Sequence, residues 1–496
     1  MKLTRLNKLS LPQLPASVTY NNSVLERDIG IVHLGPGAFH RAHQAVFTDN
    51  AMTFGGNWGI CAVSMRSVGV RDELAEQDNL YTLAIIDNNP AYQVISAIKE
   101  VLVLGEQRQQ VMQRLCAATT HIVSLTITEK GYCLDGRGQL DLNHSDIKHD
   151  LSHPEEPLSA VGLLSAALKK RMQLGIGELT IISCDNLADN GSKLANAVSA
   201  FAALSDTALA QWIKQNVCFP NTMVDSITPA SNDELRTRVA DAIQLQDNWP
   251  IQREAFSQWV IEDKFSGPRP AWDKVGVTFT HDVSGYEKAK LRLLNGSHST
   301  LAYLGLRCQF STVNEAISHP SLFRLIKQML LQEVKVSFEA PAGLVIDEYI
   351  DAILHRYANQ HIRHLLSQIA WDGSQKLPFR LLGSIQDNLA RGQSIKLMAV
   401  GVAAWLQFLV NAAKTQFKIV DPLADRLISE AAYCAGNIAD DVLRLLAIHE
   451  VFPPALAANP EFVKALAQGY LALSALGADN IEQVIDGLLT IQDAAQ

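Results

Sequence analysis

The chain has 496 residues, 48% of them hydrophobic and 19% charged, which is enough apolar material for a large core divided among two or three domains. Its formal net charge of −9 comes without a basic block, so it carries no electrostatic footprint for nucleic acid. The seven cysteines (Cys61, Cys116, Cys133, Cys184, Cys218, Cys308 and Cys434) are scattered and never spaced Cys-x-x-Cys, which argues against a disulfide frame or structural zinc and for reduced thiols in a cytoplasmic protein.

The leader, Met1 to Pro15, is polar and basic and lacks the apolar stretch of a signal peptide. The β-rich run Ile29 to Leu34 then meets Gly35-Pro36-Gly37-Ala38-Phe39-His40-Arg41-Ala42-His43-Gln44. A strand, a glycine turn and a helix in that order open dinucleotide-binding folds, because glycine lets the backbone approach a pyrophosphate. Gly35 and Gly37 fit the first two glycines of that fingerprint, but His40 stands at the third, so an ordinary strand-to-helix turn is an equal reading. His40 and His43 have metal-ligand spacing without a third ligand nearby, and no metal site is expected.

A second strand, Trp58 to Met65, ends at Arg66-Ser67, where NAD-selective folds usually carry an acid, so NADP stays open. Tyr81 to Ile86 and Tyr92 to Ile98 alternate as a hairpin around Asp87-Asn88-Asn89-Pro90. A helix from about Glu106 to Ala117 precedes a buried strand, His121 to Thr128, which releases Glu129 at its carboxyl end, where ligands of open α/β sheets bind. The polar stretch Asp135 to Pro157 reads as a surface loop. A helix at about Ala160 to Leu174 leads to the strand Leu179 to Cys184, which delivers Asp185-Asn186 to the same edge, as a site or as a helix-capping loop. Helices around residues 192–216 precede a β-run that ends at Asp225, and Trp259 to Asp263 and Val275 to Thr280 are the last strands. Helical periodicity then takes over, dividing the chain into residues 1–283 and 284–496.

At Lys290-Leu291-Arg292-Leu293-Leu294-Asn295-Gly296-Ser297-His298 an amine, an amide and an imidazole share one apolar-periodic segment. At α-helical spacing the three fall within an arc of about 140°. Asn-Gly is equally a turn signal, and a lone lysine is usually solvated. Arg356 to His364 and Asp372 to Pro378 are polar islands, either donors for an anionic group or a solvated face and an interhelical loop. The apolar run Leu397 to Val410 is too short for a bilayer and reads as a buried helix.

Taken together, Gly35-x-Gly37-x-Phe39-His40-Arg41-Ala42-His43, Thr126 to Tyr132, Ser183-Cys184-Asp185-Asn186, Thr222-Met223-Val224-Asp225 and Lys290-x-x-x-x-Asn295-x-x-His298 resemble the polyol-specific long-chain dehydrogenases, the mannitol dehydrogenase family, over nearly the whole chain. Gln139 to Asn143 and Gln368 to Pro378 resemble its sugar-acid branch, the fructuronate reductases or D-mannonate oxidoreductases.

The resemblance implies an α/β, Rossmann-like N-terminal domain, a mostly α-helical C-terminal domain, and metal-free hydride transfer with NAD, NADP remaining open. It also implies roles. Lys290 moves the proton, for which its amine must be neutral during oxidation. Asn186 and Asn295 stabilise the developing alkoxide. His298 holds a neighbouring hydroxyl, Glu129 gates protons and Asp225 supports the polar network. Gly35, Gly37, Ala38, Phe39 and Arg66 bind cofactor, and Arg356, Arg363 and Lys376 are candidates for the substrate's carboxylate. Gly296, beside Asn295, is expected to be small so as to admit substrate. The implied partner is a small sugar acid or polyol, with no nucleic acid and no membrane. Rival readings are a mannitol or arabinitol dehydrogenase, a dinucleotide-binding regulator without catalysis, and a helical partner-binding module. Oligomeric state stays open.

Overall fold

The computed structural model describes residues 3–493, so Met1 and Lys2 of the leader and residues 494–496 of the helical half lie outside the described residues. The chain forms two compact units, Met1–Ser284 and Gly285–Gln496.

The first unit is built on six parallel strands: β1 (Ile29–Leu34), β2 (Gly59–Ser64), β3 (Ile98–Val103), β4 (Ile122–Leu125), β5 (Leu179–Ser183) and β6 (Val217–Cys218). They lie in the order β3-β2-β1-β4-β5-β6, the doubly wound Rossmann arrangement in which the strand order reverses between β1 and β4. β2, β4 and β5 are buried at every position, as continuous apolar runs require when helices cover both faces of a sheet. One face packs under the helices Ala160–Gln173 and Asn190–Ser205, the other under Gln44–Ala51.

Smaller sheets flank this core. Tyr81–Ile86 and Ala91–Ile95 form the expected antiparallel hairpin, with Tyr81 opposite Ile95. The run read as one strand to Ile98 divides at Ser96-Ala97, where the buried Asp49 carboxylate accepts from the Ser96 amide at 2.8 Å. The chain then turns into β3, the outer strand of the main sheet. The stretch read as a surface loop from Asp135 to Pro157 contains a helix, Ser145–Ser152, whose N-cap His144 accepts from the Asp146 amide. The third sheet joins Thr222–Asp225, Gln258–Glu262 and Thr278–Thr280.

The second unit is helical, as expected. Its longest helix, Lys396–Thr415, packs against Gly296–Arg307 and Pro460–Ser474. It exceeds the apolar run seen in the sequence and is long and apolar enough to cross a bilayer, but most of it is buried. Its first turn is capped from outside: the buried Glu333 carboxylate accepts from the amides of Leu397 at 3.0 Å and Met398 at 2.8 Å, satisfying donors that helix geometry leaves open. Asp372 to Pro378, one reading of which was an interhelical loop, instead contains the helix Gly373–Leu377, pinned where Ser374 donates to Asp421 from its amide (2.8 Å) and hydroxyl (2.5 Å).

Lys290–Asn295 is a π-helical turn that runs without a break into the α-helix Gly296–Arg307. Gly296 has an ordinary helical φ of −65°, so Asn295-Gly296 makes no turn. A Cβ on Gly296 would lie 2.7 Å from the Arg380 carbonyl oxygen. The missing side chain therefore admits a neighbouring backbone, the π-turn Pro378–Leu382, and not the substrate expected from sequence. Gly296→Ala should destabilise the protein by about 1–3 kcal/mol through overpacking. An unchanged urea midpoint and slope would show that the two segments can part freely.

Candidate active site

In the first unit the strand carboxyl ends converge on a cavity of about 690 Å³ lined by Gly35, Gly37, Ser64, Arg66, Thr126 and Lys130, among others. Gly35 has φ +88°, and a Cβ there would sit 2.2 Å from the Thr126 carbonyl oxygen, so only glycine can hold this turn. A Cβ on Gly37 would meet nothing closer than the Gly35 carbonyl at 3.9 Å, which leaves the space above it for a ligand. Ala38 and Phe39 begin the short helix that follows.

The histidine at the third fingerprint position has a physical explanation. The His40 ring stacks on the His33 ring of β1 at 3.4 Å and 10°, so the helix seats on the strand through two flat rings where other folds use glycine. His33 in turn braces the glycine turn. Its Nδ1 lies 2.8 Å from the Ser124 hydroxyl and its Nε2 2.9 Å from that of Thr126, which donates to the Gly35 carbonyl at 2.7 Å. The single Thr126 proton is committed to Gly35, so His33 carries its proton on Nε2 and accepts from Ser124 on Nδ1. Burial pushes the His33 imidazole down to about 3, and His40 is lowered well below the ordinary value by burial and then by His33, Arg41 and His43.

Arg66 follows β2 and lines the cavity, but its side chain is 84% exposed and forms a 3.1 Å ion pair with Asp146. After β4, Thr128 adopts φ +65°, and exposed Glu129 opens the 3-10 turn Glu129–Tyr132. That turn is anchored by Asp185, whose carboxylate accepts from the amides of Ile127 (3.0 Å) and Thr128 (2.8 Å) and the Tyr132 hydroxyl (2.6 Å). Asn186 is exposed just beyond. Asn190 ties the edge together, its side-chain amide donating to the carbonyls of Ser183, Asp185 and Thr222. Asp225 is buried at the end of Thr222–Asp225. The positioning roles of His33, Asp185 and Asn190 were missed. A histidine inside an apolar strand was the available signal for the first.

A second cavity, about 750 Å³, lies at the amino ends of the strands, lined by Arg27, Asp28, Asn57, Lys99 and Glu100 among others. The Lys99 ammonium is held there by the carbonyls of Val24, Leu25 and Ser96.

In the second unit the π-turn corrects the α-helical spacing assumed from sequence. Closing i to i+5 stacks Asn295 over Lys290, and His298 follows on the same face. Lys290 and His298 are buried. The turn is held from outside: Arg292 pairs with Asp387 at 2.6 Å and donates to the Ser337 carbonyl at 2.9 Å, and the Tyr357 hydroxyl donates to the Leu294 carbonyl at 2.7 Å. The His298 ring stacks on Tyr357 at 5.2 Å and meets His364 edge-on at 4.6 Å. Burial keeps it neutral, reinforced by His364, Arg380, Arg356 and Lys376. Two sequence candidates, Arg356 and Lys376, therefore gather near His298, whereas exposed Arg363 lies by Glu315. His364 and Arg380 join the group without having been singled out. The described residues contain no cluster of potential metal ligands, and all seven cysteines are free thiols.

The mannitol dehydrogenase Rossmann domain matches residues 29–274, and the mannitol dehydrogenase C-terminal domain residues 282–474. D-mannonate oxidoreductase of Escherichia coli (strain K12) is 39% identical over 472 residues, covering 93% of this chain and 96% of that protein. The solved ternary complex of Pseudomonas fluorescens mannitol 2-dehydrogenase with NAD and D-mannitol is 37% identical, with a TM-score of 0.79, over 98% of this chain and 100% of that one. A substrate-free D-sorbitol dehydrogenase is 28% identical with a TM-score of 0.90, over 97% and 100%.

The buried imidazoles have a consequence for acid stability. Their folded pKa values lie below the unfolded one near 6.5, so the unfolded chain binds more protons and stability falls as pH drops below about 6.5. Asp49, Asp185, Asp247 and Glu333, raised by burial, act in the opposite sense from the ordinary carboxylate range upward. The thermal midpoint should fall between about pH 7 and pH 5.5, and more gently in His40→Leu. Identical slopes in wild type and variant would exclude a neutral, buried His40.

Proposed function

Because the chain belongs to the mannitol dehydrogenase family, we propose that it is an NAD-dependent oxidoreductase interconverting D-fructuronate and D-mannonate. The observation that carries the sugar-acid reading is the gathering of Arg356, Lys376 and Arg380 around the neutral His298 ring. Three cationic side chains about one imidazole suit an anionic substrate better than a neutral polyol. The similarity to D-mannonate oxidoreductase supports the same choice.

The glycine turn fits a dinucleotide: Gly35 holds a conformation closed to other residues, and the space above Gly37 is clear. Gly35, Gly37, Ala38 and Phe39 would hold its phosphates. When bound, the nicotinamide supplies hydride to the carbonyl carbon or takes it from the carbinol. Lys290 gives its proton to the carbonyl oxygen in reduction and, as the neutral amine, removes the hydroxyl proton in oxidation. Asn295 donates to the oxygen as charge builds on it. His298 offers its ring to an adjacent hydroxyl, its buried Nε2 having no protein partner among the described residues. Asp225 supports the polar network, and exposed Glu129 exchanges protons with water. The pairing of Arg66 with Asp146 partly neutralises the residue that would otherwise favour a 2′-phosphate, consistent with NAD.

Lys290→Ala should lower kcat by about 10²–10⁴-fold while NADH still binds in a fluorescence titration. A full rate would remove the lysine from the mechanism. Wild type should reduce D-fructuronate in preference to D-fructose, with NADH ahead of NADPH, and Asp146→Asn should narrow the cofactor gap by releasing Arg66. Turnover of neutral polyols with none of hexuronates would identify a mannitol-type enzyme instead.

A further inference from the structure

We propose that Arg380 receives the substrate's carboxylate, gripping it through the Nε and Nη2 edge of its guanidinium; this rests on the sugar-acid reading above. Arg380 belongs to the π-turn Pro378–Leu382, the segment whose backbone presses on Gly296. Its Nη1 donates to the Ser299 hydroxyl at 3.0 Å and lies 3.5 Å from the Asn295 carbonyl oxygen. One end of the fork is thus fixed to the helix that carries His298, at the residue next to it and one turn beyond Asn295.

The other end is unused. Among the described residues no carboxylate pairs with Arg380, and no acceptor meets its Nε or Nη2. Arg292, in the same unit, shows what a structural arginine looks like here: it pairs with Asp387 at 2.6 Å and bonds Ser337 at 2.9 Å. Asp421, which acts on Tyr303 together with Arg380, is already engaged, accepting from Ser374 and from the Leu423 amide. Burial disfavours the Arg380 charge. A half-buried guanidinium without a counter-ion carries a cost that a bound anion would relieve. Two parallel N–H donors on a planar edge match a carboxylate, a geometry that a lysine cannot offer.

The test compares wild type, Arg380→Gln and Arg380→Lys as full-length proteins. D-Mannonate binding is measured calorimetrically in the presence of NAD, and kcat and KM are measured for D-fructuronate and D-fructose. Arg380→Gln is expected to weaken D-mannonate binding and to lower the fructuronate-to-fructose ratio of kcat/KM, each by at least about thirty-fold, as when one partner of a buried charge pair is lost. Arg380→Lys, which keeps the charge without the fork, is expected to fold as wild type and to lose an intermediate factor, mainly in KM; it carries the test if the glutamine variant does not fold. Equal losses on the acid and the neutral ketose would mark Arg380 as a brace for Ser299 and overturn the proposal. Wild-type reduction of fructuronate with an unchanged KM in both variants would overturn the carboxylate grip alone. A wild type that neither binds D-mannonate nor reduces fructuronate would overturn both this inference and the sugar-acid reading.

Discussion

The second unit depends on a helix that is opened by one residue per turn before it tightens again. The π-turn Lys290–Asn295 is not an intrinsically favoured conformation, and its surroundings enforce it. Arg292 is drawn outward by Asp387 and Ser337, the Tyr357 hydroxyl takes the Leu294 carbonyl, and the backbone at Arg380 fills the space that Gly296 leaves. The turn also packs against both other π-turns of the unit, Met329–Val334 and Pro378–Leu382. A lysine, an amide and an imidazole are thereby aligned in a way that a regular α-helix would spread apart. The irregular geometry sits where proton transfer is proposed, and π-turns within helices frequently fall at functional sites.

The first unit solves a different problem, holding a left-handed glycine turn without the usual third glycine. Two stacked imidazoles set the spacing between helix and strand, and a chain of hydroxyl and imidazole donors ends on the Gly35 carbonyl. Burial keeps the rings uncharged, and each ring stays a stable spacer only while it remains so. The substitution His for Gly is therefore a change of packing device that leaves the strand, turn and helix logic intact.

Much of this was legible in the sequence because fully buried parallel strands and long amphipathic helices announce themselves by period. What stayed hidden has local causes. Only Ser96 and Ala97 separate the hairpin strand from β3, so two strands in different sheets read as one run. The helix Ser145–Ser152 is short and polar, and its cap is a histidine. A π-turn leaves no mark in a 3.6-residue period, and Gly296 beside Asn295 carries the signature of a turn that does not exist. Arg380 sits in Leu377-Pro378-Phe379-Arg380-Leu381-Leu382, where nothing marks it as different from a solvated surface arginine. Its environment becomes visible only once the fold brings it to Ser299.

The bonds around Asp185 and Asn190 have a consequence for how a ligand is captured. The amides of Ile127 and Thr128 and the Tyr132 hydroxyl are tied to one carboxylate, and three strand-end carbonyls to one carboxamide. The rim of the cavity is therefore ordered when the chain folds, and little freedom remains to be surrendered on docking. A rim of this kind behaves as a rigid receptor. Damage to it is expressed less in how often a ligand arrives than in how long it stays.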